Sequence, residues 1–122
     1  MKISDRIEQA PACQVINLSE NEMNLYHGAG WRLACFVDGK CVELMDVLNV
    51  EYNDDVHSMS AKSLSMAVGK LNEWQKNDHA EAWLVMCSCY QFCHPVPIKL
   101  GDALSMSRLA QVILDEIENF SV

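Results

Sequence analysis

The sequence predicts an α+β fold, an antiparallel sheet of about four to five strands with two main amphipathic helices packed on one face. Three observations predict it. Short stretches rich in β-branched, aromatic and other apolar residues recur along the chain. Two longer stretches carry apolar residues at the three-and-four spacing of a helix face. Turn-forming residues, Asp38-Gly39 and Gly101-Asp102 above all, punctuate them. The order is ββα-ββα after an N-terminal helix/strand segment. No linker, charge block or low-complexity stretch divides the 122 residues, so residues 1–122 read as a single globular domain. A chain of this length buries about two thirds of its unfolded surface and holds a core without staples.

In chain order, residues 3–10 have Ile3, Ile7 and Ala10 on one side and Pro11 as a stop, the pattern of a short helix. Ala12 to Leu18 reads as a strand. Ser19-Glu20-Asn21-Glu22 has the spacing of a capping box that opens a short helix through Tyr26, while a turn at Glu20-Asn21 followed by a strand fits equally. Trp31 to Val37 and Cys41 to Val50 form a hairpin about Asp38-Gly39, a dipeptide suited to a turn whose two central residues both need positive φ. Phe36, not Cys35, then stands opposite Cys41. Ser58 to Lys76 is a helix with Leu64, Ala67, Val68, Leu71 and Trp74 on its apolar face. Ala82 to Tyr90 is apolar enough for a strand buried on both faces. After Pro95 and Pro97, Ile98-Lys99-Leu100 returns as a companion strand, which the prolines place near a sheet edge. Asp102 caps a last helix whose face is Met106, Leu109, Ala110, Ile113, Ile117 and Phe120.

Charge narrows the function classes. Seventeen Asp and Glu against nine Lys and Arg give a formal charge of −8, which disfavours nucleic acid and anionic membranes and favours another protein with a basic surface. The first residues are charged and no apolar run has the length of a signal peptide or a membrane span, so a cytoplasmic location with all six cysteines as thiols is expected.

Candidate chemistry is sparse. Cys87-Ser88-Cys89-Tyr90-Gln91-Phe92-Cys93-His94 collects soft ligands, and on one continuous strand Cys87 and Cys89 would share a face. No second ligand pair accompanies them, so these cysteines read as core-filling residues, with no metal and no cofactor expected. Gly28-Ala29-Gly30 leads into a strand and so reads as a turn, not a phosphate cradle. No P-loop, G-x-S-x-G or H-E-x-x-H is present, and His27, His57, His79 and His94 fall at expected element ends or loops. The chain is expected not to be an enzyme.

The acids are more informative. Glu43, Asp46, Glu51, Asp54 and Asp55 lie between Cys41 and Ala61 without a single Lys or Arg, and several should gather at one end of the sheet. Asp115, Glu116 and Glu118 close the last helix against its own dipole. Asp46, Glu51, Asp54, Asp55, Asp115, Glu116 and Glu118, with Tyr52 as an aromatic anchor, are the expected partner-binding residues. In size, charge and fold class, though not in any motif, the chain resembles the bacterial immunity proteins and antitoxins. That resemblance implies neutralisation of a basic, nuclease-type toxin by direct binding. It is similar in the same general way to type III secretion chaperones, which implies a dimer holding an effector segment, with Met59, Met66 and Met106 as adaptable contacts. A Cys/His metal-binding protein or enzyme is the third reading.

Overall fold

The structure, a computed structural model, describes residues 1–49 and 54–121. A 3-10 turn at Ile3–Arg6 leads into β1 (Ile7–Gln9) and β2 (Gln14–Asn17), and a second at Glu22–Leu25 precedes β3 (Gly30–Val37) and β4 (Lys40–Asp46). Then come α1 (Val56–Trp74), β5 (Ala80–Ser88), β6 (Gln91–Pro97) and α2 (Ala103–Ser121). The sheet has six strands in the order β1-β2-β6-β5-β3-β4, and all its pairings are antiparallel. Among the described residues no helix is long and apolar enough to cross a membrane.

The hairpin forms as its sequence dictates. Asp38 and Gly39 both have positive φ, 51° and 82°, and Phe36 pairs with Cys41. A bulge at Val42 shifts the register, so Cys35 faces Glu43. β4 stops at Asp46, short of Val50, although Val47 is still fully buried.

One sheet face carries the helices. Leu33, Cys35 and Leu84 from the strands meet Met59, Ala67, Leu71 and Trp74 of α1 and Leu109, Val112, Ile113 and Ile117 of α2. Polar contacts fix α1 in place. Its start is capped by Asp55, whose Oδ1 accepts the Ser58 amide at 2.7 Å. Buried Ser63 takes the Asn49 amide at 2.8 Å and returns its hydroxyl to the Asn49 carbonyl at 3.1 Å. Glu43 receives the Trp74 indole N–H at 3.0 Å and pairs with Lys70 at 2.6 Å. Asp102 caps α2 as its sequence indicates, accepting the Ser105 amide at 2.9 Å.

The opposite face is also apolar, with Ala34, Phe36, Trp83, Val85, Cys87 and Phe92 buried, and it is covered by the first 26 residues through Ile3, Ile7, Ile16, Leu18, Leu25 and Tyr26. Residues 3–10 are therefore not one helix: after a single 3-10 turn, Ile7 extends to pair with Ile16. A short segment gains more from ladder bonds and burial than from an isolated helix of two turns. The capping box does form. The Ser19 amide donates to Glu22 Oε1 at 2.8 Å and the Glu22 amide to Ser19 Oγ at 3.4 Å, but what it opens is only a 3-10 turn.

The reason is the second use of Glu22. It is 2% exposed, and its carboxylate accepts both Arg6 Nη1 and Nη2, at 2.8 and 2.6 Å, and the Cys41 amide at 2.6 Å. Arg6 also donates to the carbonyls of Gly39 and Asn17, both at 2.7 Å. The chain entering edge strand β1 thus meets the turn that leads into the opposite edge, and the sheet curls around its second core.

The C-terminal hairpin differs from its expectation. β5 ends at Ser88, and Cys89 and Tyr90, with φ of 50° and 60°, make a two-residue turn into β6. No glycine or asparagine marks it, so Cys87 and Cys89 do not share a strand face. β6 comprises Gln91–Pro97 itself, not the residues after the prolines, and lies between β2 and β5. Its prolines are tolerated because β2 pairs only with Gln91, Phe92 and Cys93. A bulge at His94, φ 52°, separates the Met86↔Cys93 pair from Leu84↔Val96.

Burial alone would push the Glu22 carboxyl up, but the bonds from Arg6 and from the Ser19 and Cys41 amides outweigh it and hold the group at about 2. Because this lies below the unfolded value, the resulting stability is fully present above about pH 4.5 and is lost as pH falls toward about 2. Glu22→Gln is therefore expected to lower stability by about 3 kcal/mol at neutral pH. Urea unfolding at stepped pH checks this, with the variant expected to lose less stability than the parent between pH 4.5 and 2.

Candidate functional site

The topology brings one end of the sheet and both helices together. β3 begins there, β4 and β5 end there, and α1 starts a short connection after β4. α2 starts from the far end of β6 and runs back, so its last turns reach the same end, where Glu116 feels the charges of Arg32 and Asp46.

Arg32 is the centre of this end. It is 6% exposed, and its Nε contacts Asp46 Oδ1, its cross-strand partner on β4, and donates to His27 Nε2 at 3.0 Å. With Nε2 accepting, the ring proton sits on Nδ1 and is donated to the Leu25 carbonyl at 3.1 Å. His27 Nε2 is also 3.0 Å from Asp46 Oδ1, so a second proton on the ring would turn Nε2 from an acceptor of Arg32 into a donor to Asp46. Arg32 Nη1 is buried without a hydrogen-bond partner. A Cβ at residue 30 would lie 2.9 Å from it, and Gly30 has φ 142°, so glycine there serves both the backbone and the guanidinium.

Cys87 lies beside this group as a potential nucleophile, but burial pushes its thiol up to about 11, and Arg32 pulls it back only in part. At neutral pH it is a protonated, enclosed thiol and a poor nucleophile.

Asp46 contacts this guanidinium directly, and Glu116 lies within its electrostatic reach. Burial raises Glu116, Arg32 opposes the rise, and Asp115 and Asp46 add to it, so these three carboxylates share one electrostatic neighbourhood. Asp115 accepts Gln111 Nε2 at 3.0 Å, and Glu118 is exposed on the last turns of α2. Arg32 also eases the placement of Glu116 near the negative pole of the helix.

The other expected site residues divide. Asp54 pairs with Lys62 at 2.9 Å and Asp55 caps α1, so both have local structural tasks at the start of that helix. Glu43 belongs to the β4–α1 contact. Glu51 and Tyr52 lie outside the described residues, as does the side chain of Phe120.

An aromatic pair appears where none was expected. Tyr26 and Tyr90 stack with ring centroids 4.7 Å apart, and Tyr90 is 62% exposed on the β5–β6 turn. Sequence reasoning missed Tyr26, Arg32 and Tyr90 and gave His27 no role, because the turn bears no residue-type signature and the pair unites positions 64 residues apart. The chance that Arg32 would be buried was signalled only by its place inside an apolar strand.

The cysteine cluster is dispersed. Cys87 enters the second core, Cys89 sits in the turn, Cys93 faces the other side of the sheet beside Met86, and His94 occupies the bulge, its ring 6.3 Å from Trp31. His94 therefore lies inside a strand, not at an element end. Among the described residues no group of three or more His, Cys, Asp or Glu is arranged to hold a metal ion. At the opposite end of the molecule a groove of about 330 Å³ opens between α1 and β6, lined chiefly by Leu71, Trp74, Ala82, Ile98 and Leu100.

Comparison with protein-family models, with curated proteins and with solved structures found no match.

Gly30→Ala is expected to destabilise the fold by about 1–3 kcal/mol, since it adds a side chain at positive φ against a buried guanidinium. In an Arg32→Ala background the steric part disappears, so the same substitution should cost less in a urea-denaturation double-mutant cycle.

Proposed function

We propose that the chain is a small binding protein that neutralises a basic, nuclease-type toxin through the end of the sheet around Arg32. The observation that carries this reading is the shared electrostatic neighbourhood of Asp46, Asp115 and Glu116 at the end of the sheet that also bears the β5–β6 turn, where Tyr90 is exposed against a partly buried Tyr26. A negative rim steers a positive surface into contact, and an aromatic platform supplies apolar contact area at small entropic cost. Arg32, in contact with Asp46 and His27, keeps Asp46 in place without cancelling the net charge of −8. The reading needs neither a cofactor nor a catalytic group on this chain.

A second reading has its own observation. The apolar groove beside Trp74 and Ile98 favours a chaperone that shelters an effector segment, and such a chaperone would be a dimer. Native mass spectrometry of the tagged protein, purified gently from its own host, separates the two. Neutralisation gives a stoichiometric complex with one basic chain, and the chaperone gives a dimer carrying one effector.

With the captured basic chain as the probe, Asp115→Lys combined with Glu118→Lys is expected to weaken binding at least tenfold at low salt and to flatten its salt dependence. Tyr90→Ala should cost about 2 kcal/mol of affinity at any salt. Affinities measured by calorimetry at two ionic strengths that match the parent protein in both variants would sink the proposal.

A further inference from the structure

The six cysteines fall into two kinds. Cys35, Cys41 and Cys87 are buried in the cores, and burial pushes all three thiols up, so they are inert. Cys13 and Cys93 are partly exposed and Cys89 is exposed. The ladder places two of these together. Val15 pairs with Cys93, and residues opposite each other on antiparallel strands share a face. Cys13 precedes Val15 by two residues, so alternation returns it to that face, and the bond from the Ala10 amide to the Cys13 carbonyl, 2.9 Å, fixes the turn that presents it. The thiols of Cys13 and Cys93 lie close enough to influence one another, and Cys89 stands on the turn that leads into β6.

We propose that Cys13 and Cys93 form an oxidation site for peroxide, whose product is a disulfide that fastens β2 to β6. The inference is independent of the partner-binding reading. The chemistry balances with hydrogen peroxide as the oxidant. The Cys13 sulfur takes one peroxide oxygen, the O–O bond breaks and one water leaves, giving a sulfenic acid. The Cys93 sulfur then attacks, the S–S bond forms as the S–O bond breaks, and the departing hydroxide takes the Cys93 proton as a second water. Two thiols lose two electrons in all. Burial pushes the Cys93 thiol up, which disfavours it for the first step.

Closing the bond to an S–S distance of about 2.05 Å brings together two sulfurs at diagonal positions of the β2–β6 pair. Cys13 lies just before β2, so an adjustment there disturbs no β2–β6 pair. The consequence is structural. β2 is the strand that joins the N-terminal cover to the rest of the sheet, so the crosslink locks Ile3, Ile7 and Ile16 over the second core. Intracellular disulfides of this sort are transient and responsive to oxidant.

The test treats the reduced full-length chain with hydrogen peroxide, then denatures and alkylates it. Alkylatable thiols should fall from six to four, with a mass loss of about 2 Da and a peptide joining Cys13 to Cys93. The midpoint of urea unfolding should rise and return with dithiothreitol. Cys89→Ser should keep the crosslink, while Cys13→Ser and Cys93→Ser, checked for folding by circular dichroism, should lose it. A peptide joining Cys89 to Cys93, or oxidation of Cys13 to sulfinic acid with no crosslink, overturns the proposal. The peptide map of the unsubstituted protein decides the matter even if a variant fails to fold.

Discussion

The bidentate pair between Arg6 and Glu22 holds the second half of the core closed. A sheet with helices on one face would leave Phe36, Trp83, Val85 and Phe92 open to water on the other. The N-terminal segment is too short to form a packing layer of its own, so it needs anchorage at points far apart in sequence. Arg6 and Glu22 provide it by joining the first 3-10 turn, the end of β2, the β3–β4 turn and the first residues of β4 in one buried network. Both carboxylate oxygens of Glu22 and both terminal nitrogens of Arg6 have partners in it. Losing one member would leave a desolvated charge, which is why so small a contact has structural reach.

The backbone carries a related constraint at the other end. Cys89, Tyr90 and His94 adopt left-handed conformations that cost non-glycine residues energy. The flanking ladder enforces them: Cys87↔Phe92 and Ser88↔Gln91 close the hairpin, and the bulge lets Pro95 and Pro97 follow without wasting ladder bonds. The strain has a visible product. It sets an exposed Tyr90 on the partly buried Tyr26.

The acidic end joins these two constraints. β4 carries Asp46 up to the site, α2 returns Asp115 and Glu116 to it, and the N-terminal cover supplies Tyr26 and His27. No single segment holds the site, so its integrity depends on the helix layer and on the N-terminal cover together. Arg32 binds Asp46 directly and lowers the cost of placing Glu116 near the negative pole of α2.

Much of the fold was legible because local chemistry decides it. Asp38-Gly39 accepts positive φ, Asp102 caps α2, and the three-and-four spacing of Leu71 with Trp74 and of Leu109 with Ile113 and Ile117 defines the two helix faces. The electrostatic neighbourhood of Asp46, Asp115 and Glu116 was half legible: the sequence marked the acids but not which of them meet. Tertiary structure alone decided the rest. Residues 3–10 unwound into a turn and a strand because pairing with β2 outweighed a two-turn helix. Cys89-Tyr90 became a hairpin turn because the strands on either side were already committed to pairing. Glu22, read as a capping residue, became the acceptor for Arg6, and Arg32 became the buried centre of the acidic end. In each case the deciding energy is that of burial and long-range hydrogen bonding, which depends on which segments meet in space and leaves no periodic trace in the chain.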